Sequence, residues 1–120
     1  MSNLNAAVGL AQLENLEYFL KNKRLLGKKY QEKLASENFT FFKETENSKA
    51  NYWLNVIIAS NKKERDLLLS ITNKNNILTR PAWTPMHLLP MNKNCYFENL
   101  ENTEFLFDRI VNIPSSVTSN

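Results

Sequence analysis

The strongest strand signal in the sequence is the run Tyr52-Trp53-Leu54-Asn55-Val56-Ile57-Ile58-Ala59. Its β-branched and aromatic side chains favour a strand that is buried for most of its length. Shorter β-forming runs lie on either side of it, at residues 39–42 and 77–79. Strands that are mixed with helices without strict alternation predict an α+β fold, in which a small, mostly antiparallel sheet is packed with helices.

Helical spacing dominates the part of the chain before these strands. No proline interrupts residues 4–34, and apolar side chains recur there at intervals of three and four residues. We therefore expect a long N-terminal helix within residues 1–35 and an α+β layer over residues 36–120, which together form a single domain. The main apolar arc consists of Val8, Leu13, Leu16, Phe19, Leu20, Leu26, Tyr30 and Leu34.

A second apolar patch lies opposite this arc, at Ala7, Ala11 and Tyr18. A helix that is apolar on two sides is usually packed on two sides, although an ordinary helix with one wide buried face would show a similar pattern. Two further helices are expected, one over residues 62–72 that Asn61 caps and one over residues 101–111.

Composition and charge indicate an ordinary globular domain and give no sign of a partner that is nucleic acid or a membrane. Hydrophobic residues make up 42% and charged residues 22% of the 120 residues, and the net charge is +3. This balance is that of an ordinary globular domain and does not require nucleic acid as a partner. The basic residues at positions 21–29 are interrupted by Leu25 and Leu26, which favours a solvated helix face over contact with nucleic acid or a membrane. A single cysteine, Cys95, suits a reducing compartment, so we expect a cytoplasmic protein.

A second informative segment is Thr79-Arg80-Pro81-Ala82-Trp83-Thr84-Pro85-Met86-His87-Leu88-Leu89-Pro90-Met91. Its three prolines predict a stiff, irregular loop. Arg80 could pair with a phosphate or carboxylate, and Trp83 could pack against a sugar or another ring. The alternative is a rigid surface connection in which Arg80 is solvated and both Trp83 and His87 are structural. The chain has neither the glycines of a phosphate-binding loop nor a cluster of metal ligands, because His87 and Cys95 stand alone.

Three separated motifs together resemble one known family. The opening residues 1–14, the proline-rich loop and the closing Asn112-Ile113-Pro114-Ser115-Ser116 resemble, in the same order, the C-terminal part of DegT/DnrJ/StrS-type sugar aminotransferases. The resemblance implies the C-terminal small domain of a fold-type I enzyme that uses pyridoxal phosphate (PLP) to aminate a keto-sugar carried on a nucleotide. It also implies a homo-oligomer and places Arg80, Trp83 and His87 at the substrate, where His87 would donate a hydrogen bond to the diphosphate or the sugar.

The tryptophan in the middle motif resembles the branch of the family that acts on UDP-linked 4-keto-6-deoxy-N-acetylhexosamines. The family's cofactor lysine follows a serine in the pattern S-x-x-x-x-K, and no serine of this chain has a lysine five residues later. We therefore expect the cofactor-binding large domain to be absent and the isolated chain to be inactive, with no catalytic, cofactor-binding or metal-binding residue of its own. The alternative is a non-enzymatic interaction or oligomerisation module derived from such a domain.

Overall fold

The architecture is a four-stranded antiparallel sheet with helices before, between and after its strands. The computed structural model describes residues 2–34 and 38–117. Its elements are α1 (Asn3–Glu14), α2 (Leu16–Lys33), β1 (Phe39–Phe41), β2 (Asn55–Ala59), α3 (Lys62–Lys74), β3 (Arg80–Pro81), two 3₁₀ turns (Met86–Leu88 and Pro90–Asn92), α4 (Glu101–Phe107) and β4 (Ile110–Ile113). The predicted α+β class is thereby confirmed.

Within the sheet the strand order is β1-β2-β4-β3. Because β4 pairs antiparallel with both β2 and β3, these two strands run in the same direction with β4 between them. The connection from β2 to β3 contains α3, and the connection from β3 to β4 contains the proline-rich loop and α4. This order brings Arg80 opposite Asn112, so the proline-rich loop begins beside the closing motif.

The core lies where β2 and β4 meet. Ile57 pairs with Val111, and both are buried together with Phe41 and Ile113. Side chains from two helices cover this cluster, namely Tyr30, Leu34, Leu68 and Leu69. The intervening residues of the same strands point to the opposite face of the sheet because side chains alternate along a strand. Of these, Val56, Ile58 and Asn112 are only half-buried.

The long N-terminal helix expected within residues 1–35 is two helices, broken at Asn15. Asn15 has φ −101° and ψ 3°, and its side-chain Nδ2 donates a hydrogen bond to the carbonyl of Ala11 at 2.9 Å. Asparagine side chains compete in this way with the helical backbone, which explains the break. Ser2 caps the start of α1, because its hydroxyl accepts a hydrogen bond from the backbone N–H of Asn5.

The apolar arc expected along this helix is buried only in its second half. Tyr30 and Leu34 pack on the core, whereas α1 contains no buried residue. The large apolar side chains of α1 that remain exposed are Leu4, Val8, Leu10 and Leu13. None of the helices that the structure describes is long and apolar enough to cross a membrane.

Two boundaries differ from the sequence-based expectations in the second half of the chain. The helix expected over residues 101–111 ends at Phe107, and Ile110 and Val111 belong instead to β4. The β-branched residues of this strand pair with β2, and this long-range pairing overrides the local helical pattern. The third strand is Arg80–Pro81 rather than residues 77–79. The cap of α3 is as expected, since Asn61 Oδ1 accepts from the backbone N–H of Glu64 at 3.0 Å.

Burial on the outer helices is also lower than expected. The apolar spacing of these helices predicts that Phe105 on α4 and Ile71 on α3 face inward, but each is about half exposed. The reason is that α4 has only seven residues and α3 reaches the core through Leu68 and Leu69.

Candidate functional site

Arg80 begins the proline-rich loop at a point that the sheet holds firmly. Its backbone pairs with Asn112 of β4, and the Asn112 side chain donates to the carbonyl of Pro81 at 3.1 Å. Just before it, Thr79 is buried, and Asn73 Nδ2 donates to the Thr79 carbonyl at 3.1 Å. The backbone that carries Arg80 is therefore fixed on both sides, although the Arg80 side chain itself is exposed.

The Arg80 side chain lines a cleft of about 380 Å³. We call it the Arg80 cleft, and its polar and aromatic lining residues are Lys23, Trp53, Arg80, Asn112, Ser115 and Ser116. Two of these are cations, and none of the described residues that line the cleft is acidic. The cleft therefore favours an anionic ligand.

Ser115 of the closing motif joins three elements at the floor of this cleft. Its hydroxyl accepts from the backbone N–H of Asn55 at 2.7 Å and donates to the carbonyl of Ile113 at 2.7 Å. Its carbonyl accepts from Lys23 Nζ at 2.7 Å, and the same ammonium lies 3.4 Å from the carbonyl of Trp53. The start of β2, the end of β4 and helix α2 are thus held together at one serine. Tyr30 adds a further tie, because its hydroxyl donates to the carbonyl of Pro114 at 3.0 Å.

Arg24 of α2 binds the segment of chain that precedes Trp53. Arg24 makes two hydrogen bonds to the Glu44 carboxylate, at 2.7 and 3.1 Å, and a third to the carbonyl of Ala50 at 2.6 Å. The Arg24 hydrogen bond, together with the backbone N–H of Ala50, lowers the pKa of Glu44 below its ordinary value of 4.5. The pair fastens the segment between β1 and β2 to the helix.

Tyr52, directly before Trp53, has a left-handed backbone with φ 48°. This conformation is costly for a bulky residue and persists only where the surroundings impose it. The Tyr52 ring stacks on Phe41 with centroids 6.3 Å apart, and the Arg24 guanidinium carbon lies 5.7 Å from its centroid. Gly27 of α2 lies against the same ring, where the absence of a side chain permits the close approach.

Trp83, the second candidate from the sequence, is 73% exposed and does not line the Arg80 cleft. His87, the third candidate, lies in the 3₁₀ turn Met86–Leu88 with a side chain that is only 7% exposed. Its Nε2 is 3.1 Å from Glu104 Oε1 on α4, and its ring centroid is 5.2 Å from that of Phe97. His87 lines a separate, mostly apolar cleft of about 470 Å³. The structure therefore does not bring the three candidates together in one cleft.

Sequence reasoning missed three residues of the Arg80 cleft: Lys23, Trp53 and Ser115. Trp53 was assigned to the interior of the central strand, but it precedes β2 and is 67% exposed. Lys23 was grouped with a solvated basic face. The two motifs containing Arg80 and Ser115 were recognised separately, and only the strand order, with β4 beside β3, places them next to each other.

Comparison with known proteins gives a consistent result. The family model described as "DegT/DnrJ/EryC1/StrS aminotransferase family" matches residues 1–119. A GDP-perosamine synthase of Vibrio cholerae is 37% identical over 96% of this chain, and one of Escherichia coli O157:H7 is 33% identical over 96%. The chain spans only 32% and 31% of the lengths of these two relatives.

A solved sugar aminotransferase of Streptococcus pneumoniae, in its PLP form, superposes with a TM-score of 0.86 at 21% identity. The superposition covers 100% of this chain and 32% of that protein. At this identity the likeness concerns the fold, and the matched part is the C-terminal portion of such aminotransferases.

Proposed function

The chain belongs to the DegT/DnrJ/EryC1/StrS aminotransferase family, and we propose from this premise that it forms the part of a PLP-dependent aminotransferase that contacts a nucleotide-sugar substrate. In the complete reaction an amino group would pass from glutamate to a keto-sugar. The observation that carries the proposal is that the guanidinium of Arg80 has no partner among the described residues.

Three of the four arginines are committed to protein partners: Arg24 to Glu44, Arg65 to Asp66, and Arg109 to two backbone carbonyls. The guanidinium of Arg80 alone has no hydrogen-bond or ion-pair partner in the described part of the chain, and Arg80 lines a cleft together with a second cation, Lys23. A guanidinium that no protein group satisfies is suited to bind a phosphate or carboxylate in two-pronged fashion.

Trp83 and His87 are proposed as further substrate contacts. Trp83 offers a large exposed ring to the apolar face of a sugar. His87 would act through Nδ1, because Nε2 lies against Glu104 and Nδ1 has no partner within residues 2–34 and 38–117. Since the ring is mostly buried, the loop would have to shift slightly for Nδ1 to reach a ligand.

The finer form of the proposal concerns the nucleotide. The tryptophan-containing loop motif supports a UDP-linked 4-keto-6-deoxy-N-acetylhexosamine. A GDP-linked sugar is the competing substrate, because two relatives are GDP-perosamine synthases. The unpaired thiol of Cys95 is in keeping with a cytoplasmic location, which we include in the proposal.

PLP does not fit the Arg80 cleft as a Schiff-base cofactor. A Schiff-base lysine must present a free amine. Lys23, the lysine of the Arg80 cleft, instead donates hydrogen bonds to the carbonyls of Ser115 and Trp53. The proposed role therefore lies on the substrate side of the reaction.

The test is a chimeric enzyme in which residues 1–119 replace the matched portion of the Vibrio cholerae GDP-perosamine synthase. Steady-state kinetics with UDP- and GDP-linked keto-sugars would measure kcat/KM for the chimera and for its Arg80→Ala and His87→Ala variants. Each substitution should cost about 1–3 kcal/mol in transition-state stabilisation, the range for a hydrogen bond to a charged group. The half-reaction with glutamate should change much less.

Lys93→Ala, which removes an exposed lysine later in the same connection, is the matched control and should leave the kinetics unchanged. The proposal would be wrong if Arg80→Ala and His87→Ala lowered only the melting temperature. A kcat/KM for the GDP-sugar that exceeded the UDP-sugar value tenfold or more would decide the nucleotide against UDP.

A second candidate function is a non-enzymatic interaction or oligomerisation module. The observation that favours it is α1, whose large apolar side chains are all exposed. Burial of such a surface against a second copy of the chain, or against another protein, is the ordinary outcome for a helix of this kind.

A further inference from the structure

We infer that Lys23, Trp53 and Arg80 form a binding site for a nucleoside diphosphate, and that this chain binds the group without any other part of an enzyme. The inference rests on the proposed function and extends it to the nucleotide half of the substrate. It assigns Trp53 as the ring that faces the base, and it adds Lys23 as a second phosphate ligand.

The Arg80 cleft differs in charge from the neighbouring groove along α2. This groove, of about 590 Å³, contains three cations, Lys21, Arg24 and Lys28. Arg24 and Lys28 each have an acidic partner, Glu44 and Glu32 respectively, whereas Lys21 makes no ion pair that the structure describes. The Arg80 cleft contains two cations and, of the residues the structure describes around it, no acid. The Arg80 cleft therefore has the larger excess of positive charge of the two, because acids in the groove offset two of its three cations.

Both cations of the cleft, Arg80 and Lys23, have N–H donors that no described protein group uses. Arg80 has all five N–H groups of its guanidinium available, since no described group accepts from it. The Lys23 ammonium has three N–H donors and uses two, on the carbonyls of Ser115 and Trp53. The third donor can bind an oxyanion, and because the two carbonyls already hold the ammonium in place, little further side-chain entropy is lost. Two phosphate groups thus have two ligands.

The indole ring of Trp53 offers the cleft a surface for stacking. Trp53 is 67% exposed at the cleft, yet its backbone is fixed, because its N–H donates to Asn51 Oδ1 at 2.9 Å and Tyr52 before it is clamped against Gly27 and Arg24. An exposed indole on a fixed backbone is a platform on which a nucleobase stacks. A ligand that carries two adjacent anionic groups and a flat ring matches this arrangement, and a nucleoside diphosphate has these features.

The experiment uses Trp53 as its own reporter. The chain contains two tryptophans, so the variant Trp83→Phe leaves Trp53 as the single fluorophore. UDP, GDP and inorganic pyrophosphate are titrated separately. We expect saturable quenching by both nucleoside diphosphates, and we expect pyrophosphate to displace them while quenching much less, because it has no ring to stack.

Substitutions test each ligand in this Trp83→Phe background. Arg80→Ala should weaken binding about tenfold or more, as expected for the loss of a charged hydrogen-bond donor. Lys23→Met should weaken it several-fold, whereas Lys21→Met, two residues earlier on α2 and outside the cleft, should have no effect. Circular dichroism of each variant checks that the fold is retained.

The inference is overturned if neither nucleotide quenches Trp53 saturably at millimolar concentration. Equal effects of Lys23→Met and Lys21→Met would also overturn it. Its failure is separable from that of the proposed function: a chimera whose activity depends on Arg80, beside an isolated chain that binds no nucleotide, refutes the inference alone. The opposite pattern, with nucleotide binding to the chain and kinetics indifferent to Arg80, refutes the proposed function.

Discussion

Two neighbouring cations on α2, Lys23 and Arg24, bind different parts of the chain. Arg24 is bound to Glu44 and Ala50 and fastens the segment before β2, whereas Lys23 holds the closing motif through Ser115. Both residues lie in the basic cluster that sequence reasoning assigned to a solvated face. The cluster gave no sign of this division, because the partners of Lys23 and Arg24 are between 20 and 92 residues away in the chain.

The Arg24–Glu44 pair predicts a defined dependence of stability on pH. Because its pKa is lowered in the folded protein, the Glu44 carboxylate stabilises the fold above about pH 4.5, and this contribution is lost as the pH falls through the folded pKa. Glu44→Gln should therefore be less stable than the parent at pH 7. The difference in urea midpoint should shrink on acidification below about pH 4.5 and disappear once the pH is below the folded pKa. Urea unfolding at a series of pH values measures it.

Glu46→Gln is the control, because Glu46 is exposed in the same segment and makes no ion pair that the structure describes. A constant offset between Glu44→Gln and the parent across the whole pH range would show that the carboxylate charge is not what stabilises this segment.

Helices and strands could be predicted from the sequence where the residues that determine them lie close together in the chain. The central strand, the cap of α3 by Asn61 and the helical character of α2 all follow from residues close together in the sequence. The break at Asn15 and the strand β4 were missed for different reasons. A single asparagine turns its side chain onto the backbone in the first case, and a pairing with residues more than fifty positions away decides the second.

The two glycines of the chain make a matched pair for testing how α2 packs. A Cβ on Gly27 would lie 3.0 Å from the Tyr52 ring and 3.2 Å from Asn55 Oδ1, whereas a Cβ on Gly9 meets nothing within 4 Å. Gly27→Ala should destabilise the fold by about 1–3 kcal/mol through overpacking. Gly9→Ala should be neutral or stabilise α1 by up to about 1 kcal/mol, the helix-propensity difference. Urea denaturation measures both.

Equal stability of the two variants would mean that the Tyr52 ring can move away from Gly27, so that Tyr52 does not fix the backbone before Trp53.

At the scale of the whole molecule the chain is more extended than its length requires. Its radius of gyration is 17.4 Å, against about 14 Å for a compact domain of 120 residues. The order of the strands and the separation of Trp83 and His87 from the Arg80 cleft were beyond sequence reasoning, because both depend on how distant segments pair. The family and the fold class were predictable, since three motifs and one strong strand carry them.

Self-association through α1 is the first prediction at this scale. Burial of about 400 Å² of apolar surface contributes on the order of 10 kcal/mol gross, before the costs of association. We expect dimers or larger species at high micromolar concentration, and we expect the double variant Leu10→Glu/Leu13→Glu to dissociate them. Sedimentation velocity measures this, with Leu67→Glu on α3, at a similarly exposed leucine, as the control. A parent that sediments as a clean monomer would contradict the prediction.

The second prediction at this scale concerns the cofactor. The isolated chain mixed with PLP should show no specific aldimine absorbance and no single lysine that borohydride traps at full occupancy. The reason is that no serine is followed by a lysine in the family's spacing and that Lys23 is held by two carbonyls. Mass spectrometry after reduction locates any adduct, and one stoichiometrically modified lysine would disprove the prediction.

The position of β4 also bears on how the protein is synthesised. β4 follows the other three strands in the sequence, but it lies between two of them, and its Val111 is completely buried. During translation β1 and β2 can form only a two-stranded hairpin, which is marginally stable in water on its own. The core therefore cannot close until residues 110–113 have left the ribosome, and until then the nascent chain must keep the apolar residues of β2 from aggregating.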